Sequence, residues 1–162
     1  MDTNRWAPGP SGSCATDVAP RRISEPFDDV RPPLRIHVVA TDHNVSVARR
    51  RFRDWLVFDV SSNLLDDLVL VVHEAMANAV EHGYAEQPGG PVRLHARRGR
   101  GQVLITVSDE GRWRAPTGER YRGHGLPLMR LLTHDVDVVT GPGGTVVRLW
   151  AETAPASLTS PG

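Results

Sequence analysis

The sequence predicts an α+β fold in two layers, a mixed and mostly antiparallel sheet with its helices on one face. Three observations carry this prediction. The elements run strand, helix, helix, strand, strand, loop, helix, strand, strand. Neighbouring strands are mostly joined by tight turns, the connection that antiparallel pairs permit. At 162 residues the chain suits a single domain with one hydrophobic core, against which amphipathic helices must bury their apolar faces.

Taken in order, residues 1–33 hold six of the thirteen prolines, with scattered Gly, Ser and charge, and follow neither helical nor strand periodicity. They are expected to be a disordered leader. From Leu34 the texture changes: LRIHVVA is β-branched and aliphatic and runs into Thr41-Asp42, a helix N-cap signal. In the helix that follows, Val45, Ala48, Phe52, Trp55 and Leu56 share one face, while Arg49, Arg50, Arg51 and Arg53 form a basic back. That back is either a solvated face or a surface for acidic groups of a partner protein.

Ser61-Ser62-Asn63 opens a second helix, with Asn63 and Asp66 at N-cap and N3 spacing and Gly83 as its C′ residue. PVRLHARR and QVLITVSD read as a hairpin through Gly99, Arg100 and Gly101. EGRWRAPTGERYRGHG lacks periodicity and reads as a long loop, and LPLMRLLTH as a short helix. DVDVVT and TVVRLWA form a last hairpin at Gly141 to Gly144, so the domain spans 34–152, and Thr153 onward is expected to be a flexible tail.

Composition narrows the function. Lys plus Arg (19) balance Asp plus Glu (19), so no broad attraction to nucleic acid or to an anionic membrane is expected. Arg49 to Arg53 leave a DNA-associated factor as a third reading, which the zero net charge and the lack of a recognition motif count against. The longest clean apolar run, Leu68 to Val72, falls far short of the roughly 20 residues of a membrane span. The N-terminus does not resemble a secretory signal, and a single cysteine, Cys14, agrees with a reducing compartment. A cytoplasmic location is expected.

Four features could carry chemistry. Glu74 and Asn78 lie four residues apart on one face of an otherwise apolar helix, with Glu81 on the same stripe. Burying such groups costs several kcal/mol without partners, so they either meet a ligand such as a hydrated metal ion or face solvent. Asp109 ends an apolar strand, with Gly111 two residues on, which suits hydrogen bonding to a small ligand or an ordinary turn. Gly123-His124-Gly125 precedes a helix, where exposed N–H groups and the helix dipole favour phosphate oxygens. Thr145 sets a hydroxyl at the start of the last strand.

The order and spacing of these features resemble the GHKL ATPases, the superfamily of gyrase, the large ATP-dependent heat-shock chaperones, histidine kinases and MutL. HEAMANAVEHGY is similar to its N box, VSDEGRW to its G1 box and GHGLPLMRLL to its G2 box. Within the superfamily the chain resembles the anti-sigma regulatory serine kinases, over roughly Leu34 to Trp150. The resemblance implies a Bergerat-type ATP-binding fold. It implies an ATP-dependent protein serine/threonine kinase with ATP and Mg2+ as cofactors, a STAS-type anti-anti-sigma factor or a sigma factor as partner, and a homodimer.

By the same resemblance, Glu74 is the general base and Asn78 the magnesium ligand. Asp109 recognises the adenine amino group with Gly111 beside the base, Gly123 and Gly125 flank the phosphates under a lid, and Thr145 lies near adenine. Arg120 and Arg122 in the lid either reach the γ-phosphate or are simply exposed. Arg112 and Arg114 are weaker candidates for that contact, and His82 is read as satisfying the end of its helix. Two departures stand out: Trp113 replaces the second glycine of the G1 pattern, and the lid, 112–122, is short. The short lid and the missing phosphoacceptor hairpin argue against a histidine kinase; His37 and His43 lie outside any such context. The alternative is a catalytically inactive ATP-binding docking module.

Overall fold

The computed structural model describes residues 27–85, 89–112 and 125–153. Strands β1 (Leu34–Val39), β2 (Pro91–Gly99), β3 (Gln102–Asp109), β4 (Asp135–Gly141) and β5 (Gly144–Glu152) form one sheet in the order β1-β2-β3-β5-β4. Every neighbouring pair is antiparallel, the pure form of the sheet expected. Helices α1 (Asp42–Leu56), α2 (Ser62–Asn78) and α3 (Gly125–Leu132) supply the second layer.

The register explains the core. Ile36, Leu94, Val107, Val147 and Val138 are cross-strand partners in one row spanning all five strands, and the first four are buried. Period-two alternation puts this row, and the next through Ala96, Ile105 and Leu149, on the face the helices cover. The opposite face carries Arg93, His95, Arg97, Thr106 and Arg148, none of them fully buried. Arg97 pairs there with Asp29 and Arg148 with Asp137.

Helix α1 begins where expected: Thr41 is the N-cap and its hydroxyl accepts from the Asn44 N–H at 3.2 Å. Val45, Ala48, Phe52 and Leu56 are buried, Trp55 only partly. Of the basic back, Arg50 and Arg51 are exposed, and Arg53 is paired with Asp66 of α2 at 2.7 Å. The α2 cap differs from expectation, because Ser61 caps the helix by accepting from Leu64 N–H, leaving Asn63 inside the first turn. Gly83 is not a left-handed C′ residue: α2 widens after Asn78 into a π-helical turn, Ala79–Gly83, and Gly83 is absent from the positive-φ glycines.

Residues 27–33, expected within the leader, are tied to the sheet. Asp29 bridges Gly99, and Val30 N–H donates to Arg98 C=O at 2.8 Å. Arg31 reaches the Trp55 carbonyl and Asp59 and lies over the Trp55 ring. At the other end Thr153 is buried, and its N–H donates to Gly101 C=O. Among the described residues no helix is long and apolar enough to cross a membrane.

Candidate functional site

The row beyond the central one runs Val38, Val92, Asp109, Thr145, Thr140, so the aspartate and both threonines face the helix layer just where the apolar rows end. Asp109 is only 8% exposed. It accepts from Gly111 N–H at 2.9 Å and from Thr145 N–H. Burial lifts its carboxyl above the usual aspartate range, and those two N–H bonds pull it part of the way back. The Thr145 hydroxyl is buried, with no hydrogen-bond partner among the described residues. Gly144 makes this pairing possible: it has φ of +118°, and a Cβ there would lie 1.9 Å from the Asp109 carbonyl oxygen.

The π-helical turn lowers the end of α2 onto the same spot. A Cβ on Gly83 would lie 3.1 Å from Asp109 Oδ1, and one on Gly111 would lie 2.3 Å from the Gly83 oxygen. The next residue, Tyr84, donates its hydroxyl to Pro91 C=O at 2.9 Å and accepts from Glu110 N–H at 2.9 Å.

Two turns up α2, Glu74 and Asn78 meet the start of α3. A Cβ on Gly125 would lie 3.1 Å from Asn78 Nδ2 and 3.4 Å from Glu74 Oε2. Between the two ends lies a cavity of about 230 Å³. Asn78, Asp109, Gly125 and Thr145 line it together with an apolar wall of Ala75, Ala79, Val107, Leu126, Val138 and Val147.

A family model described as the histidine kinase-like ATPase domain matches residues 38–150. The chain is 29% identical over 134 residues to an anti-sigma F factor of Halalkalibacterium halodurans, covering 74% of this chain and 92% of that protein. It is 31% identical over 131 residues to an anti-sigma F factor of Heyndrickxia coagulans, covering 72% of this chain and 89% of the relative. The chain belongs to the histidine kinase-like ATPase family, in its anti-sigma branch. Among solved structures, the RsbU and RsbW domains of Rv1364c from Mycobacterium tuberculosis superpose with a TM-score of 0.64 at 29% identity, over 80% of this chain. The chain spans 35% of the length of that protein.

The anti-sigma-type ATPase domain has a cavity whose chemistry fits an adenine nucleotide. Its valine and alanine wall suits the faces of an aromatic base, and the Asp109 carboxylate and the Thr145 hydroxyl, which has no hydrogen-bond partner among the described residues, stand together in its lining. Of the residues singled out from sequence, Asn78, Asp109, Gly125 and Thr145 line the cavity, Glu74 borders it beside Gly125, and Gly111 closes the turn against Gly83. Arg112 is exposed. Arg120, Arg122, Gly123, Trp113 and Arg114 lie outside the described residues. His82, read as a helix-end group, lines the cavity, and Glu81 is exposed. Sequence reasoning missed Val138 and Thr140, because their approach depends on β4 and β5 pairing, and it left Tyr84 without a role of its own.

Proposed function

We propose that this domain is an ATP-dependent protein serine/threonine kinase that phosphorylates a STAS-type anti-anti-sigma factor and alternately sequesters a sigma factor. The observation supporting it best is the gathering of Asn78, Asp109, Gly125 and Thr145, from four separate stretches of chain, around one cavity with Glu74 at its border.

In this reading Asp109 accepts a hydrogen bond from the adenine amino group, with Thr145 completing the polar contacts at that end. Gly111 keeps the backbone low beside the base. Gly125, with Gly123 before it, lets the start of α3 approach the phosphates, where the unpaired N–H groups of the helix favour anionic oxygens. Asn78 offers an amide oxygen of the hard kind that Mg2+ takes alongside phosphate and water oxygens. Bound magnesium would neutralise phosphate charge during transfer. Glu74 takes the proton from the serine hydroxyl of the incoming protein, and Arg122 balances charge at the γ-phosphate.

The test is transfer of labelled phosphate from ATP to a purified STAS-type antagonist. The wild type is expected to label a serine or threonine of the antagonist, and Glu74→Ala to retain ATP but lose labelling. An antagonist regulated equally well by the Glu74→Ala protein would instead establish a docking module without catalysis.

A further inference from the structure

We propose that Tyr84 is a positioning residue for the base-recognising end of the cavity, holding Asp109 and Gly111 in place through the Glu110 peptide. This rests on the nucleotide reading above, and the geometry carries the rest. The β2–β3 register pairs Val92 with Asp109, and one further step would set Pro91 opposite Glu110. The ladder stops there, and the Tyr84 hydroxyl occupies the gap. It accepts from Glu110 N–H and donates to Pro91 C=O, both at 2.9 Å. A single side-chain oxygen thus takes the place of a backbone ladder bond where the strands part.

The two residues flanking the gripped peptide are those that build the pocket end: Asp109, whose carboxylate lines the cavity, and Gly111, whose N–H holds that carboxylate. Tyr84 itself is fixed. It follows Gly83, which abuts Gly111; it is 6% exposed; and its ring lies so close over Gly90 that a Cβ there would be 2.2 Å from it. The aromatic ring anchors the hydroxyl, and the hydroxyl sets the turn. Removing only the oxygen leaves the ring packing intact and takes from the Glu110 N–H and the Pro91 C=O the part-buried partner they share.

The experiment is calorimetric titration of ADP and GDP, in the presence of Mg2+, into the wild-type chain and the Tyr84→Phe variant, with thermal melts of both. The wild type is expected to prefer ADP, since Asp109 accepts from an amino group and repels the guanine carbonyl. Tyr84→Phe is expected to remain folded, to bind ADP roughly tenfold more weakly, and to lose most of the ADP-over-GDP preference. Equal weakening for both nucleotides, or unchanged ADP affinity, would overturn the positioning role while leaving the nucleotide site standing. A folded wild type that binds neither nucleotide would overturn the site reading, and the role of Tyr84 with it. Amide exchange in the wild type gives a reading independent of the variant: the Glu110 N–H is expected to be protected without nucleotide, and exchange at the rate of a free amide would contradict the clamp.

Discussion

Gly83 and Gly111 touch backbone to backbone: a Cβ on Gly111 would lie 2.3 Å from the Gly83 oxygen and 2.6 Å from its Cα. This contact brings the end of the α2 segment onto the turn after β3 and so closes one end of the cavity. Gly111→Ala forces the two chains apart, and neither neighbour is a side chain that can swing away. A loss of roughly 1–3 kcal/mol in folding stability is expected, together with weakened nucleotide binding. Denaturant melts and titration of ATP check both.

Asp109 separates stability from binding. Its carboxyl titrates above the usual aspartate range because it is buried, so the folded chain keeps that proton to higher pH than the unfolded chain does. The ionised group therefore costs stability above its raised pKa, and the cost disappears as pH falls below about 3.9, the ordinary aspartate value. Asp109→Asn is expected to raise the melting temperature of the nucleotide-free domain at neutral pH, with a gain that shrinks on acidification. The same substitution is expected to weaken ATP binding by about 10- to 100-fold, since the amide cannot replace a charged acceptor.

The buried Thr145 hydroxyl has no hydrogen-bond partner among the described residues. Thr145→Val keeps the shape and removes that group, so the nucleotide-free domain is expected to be unchanged or more stable by up to about 1 kcal/mol. ATP affinity is expected to fall severalfold. Loss of stability without loss of affinity would show that the hydroxyl serves the fold alone.

Much of the arrangement is legible in the chain, for identifiable reasons. The β2–β3 and β4–β5 hairpins announce themselves through Gly101 and Gly144, both at positive φ, and through alternation that matches the buried rows. Glu74 and Asn78 follow from helical spacing. The errors arise where tertiary contact overrides a local signal. Gly83 looks like a helix stop, yet its small size serves the approach of Gly111, and Asn63 looks like a cap but lies two positions too late, because Ser61 takes that role. Arg31 and Asp29 sit in a proline-rich stretch without periodicity, and that stretch is held by partners distant in sequence, among them Trp55, Asp59, Arg97 and Arg98. No local pattern reveals that the Tyr84 hydroxyl fills a missing rung between β2 and β3.

The sheet's central row offers a control remote from the cavity. Leu94 is fully buried between Ile36 and Val107 and does not line the cavity. Leu94→Ala is expected to cost roughly 2–5 kcal/mol in denaturant unfolding. Below the melting transition its ATP affinity is expected to match the wild type.

One cavity, with Asn78 at one end and Asp109 at the other, is proposed to hold a magnesium nucleotide. The decisive experiment is calorimetric titration of ATP into the wild type, Asn78→Ala and Asp109→Asn, each with and without Mg2+. The wild type is expected to bind tightly and in a Mg2+-dependent way, Asn78→Ala to lose that dependence, and Asp109→Asn to bind weakly whether or not Mg2+ is present. A folded wild type that takes up no ATP, or two variants that bind it as tightly as the wild type, would rule out a nucleotide site in this cavity.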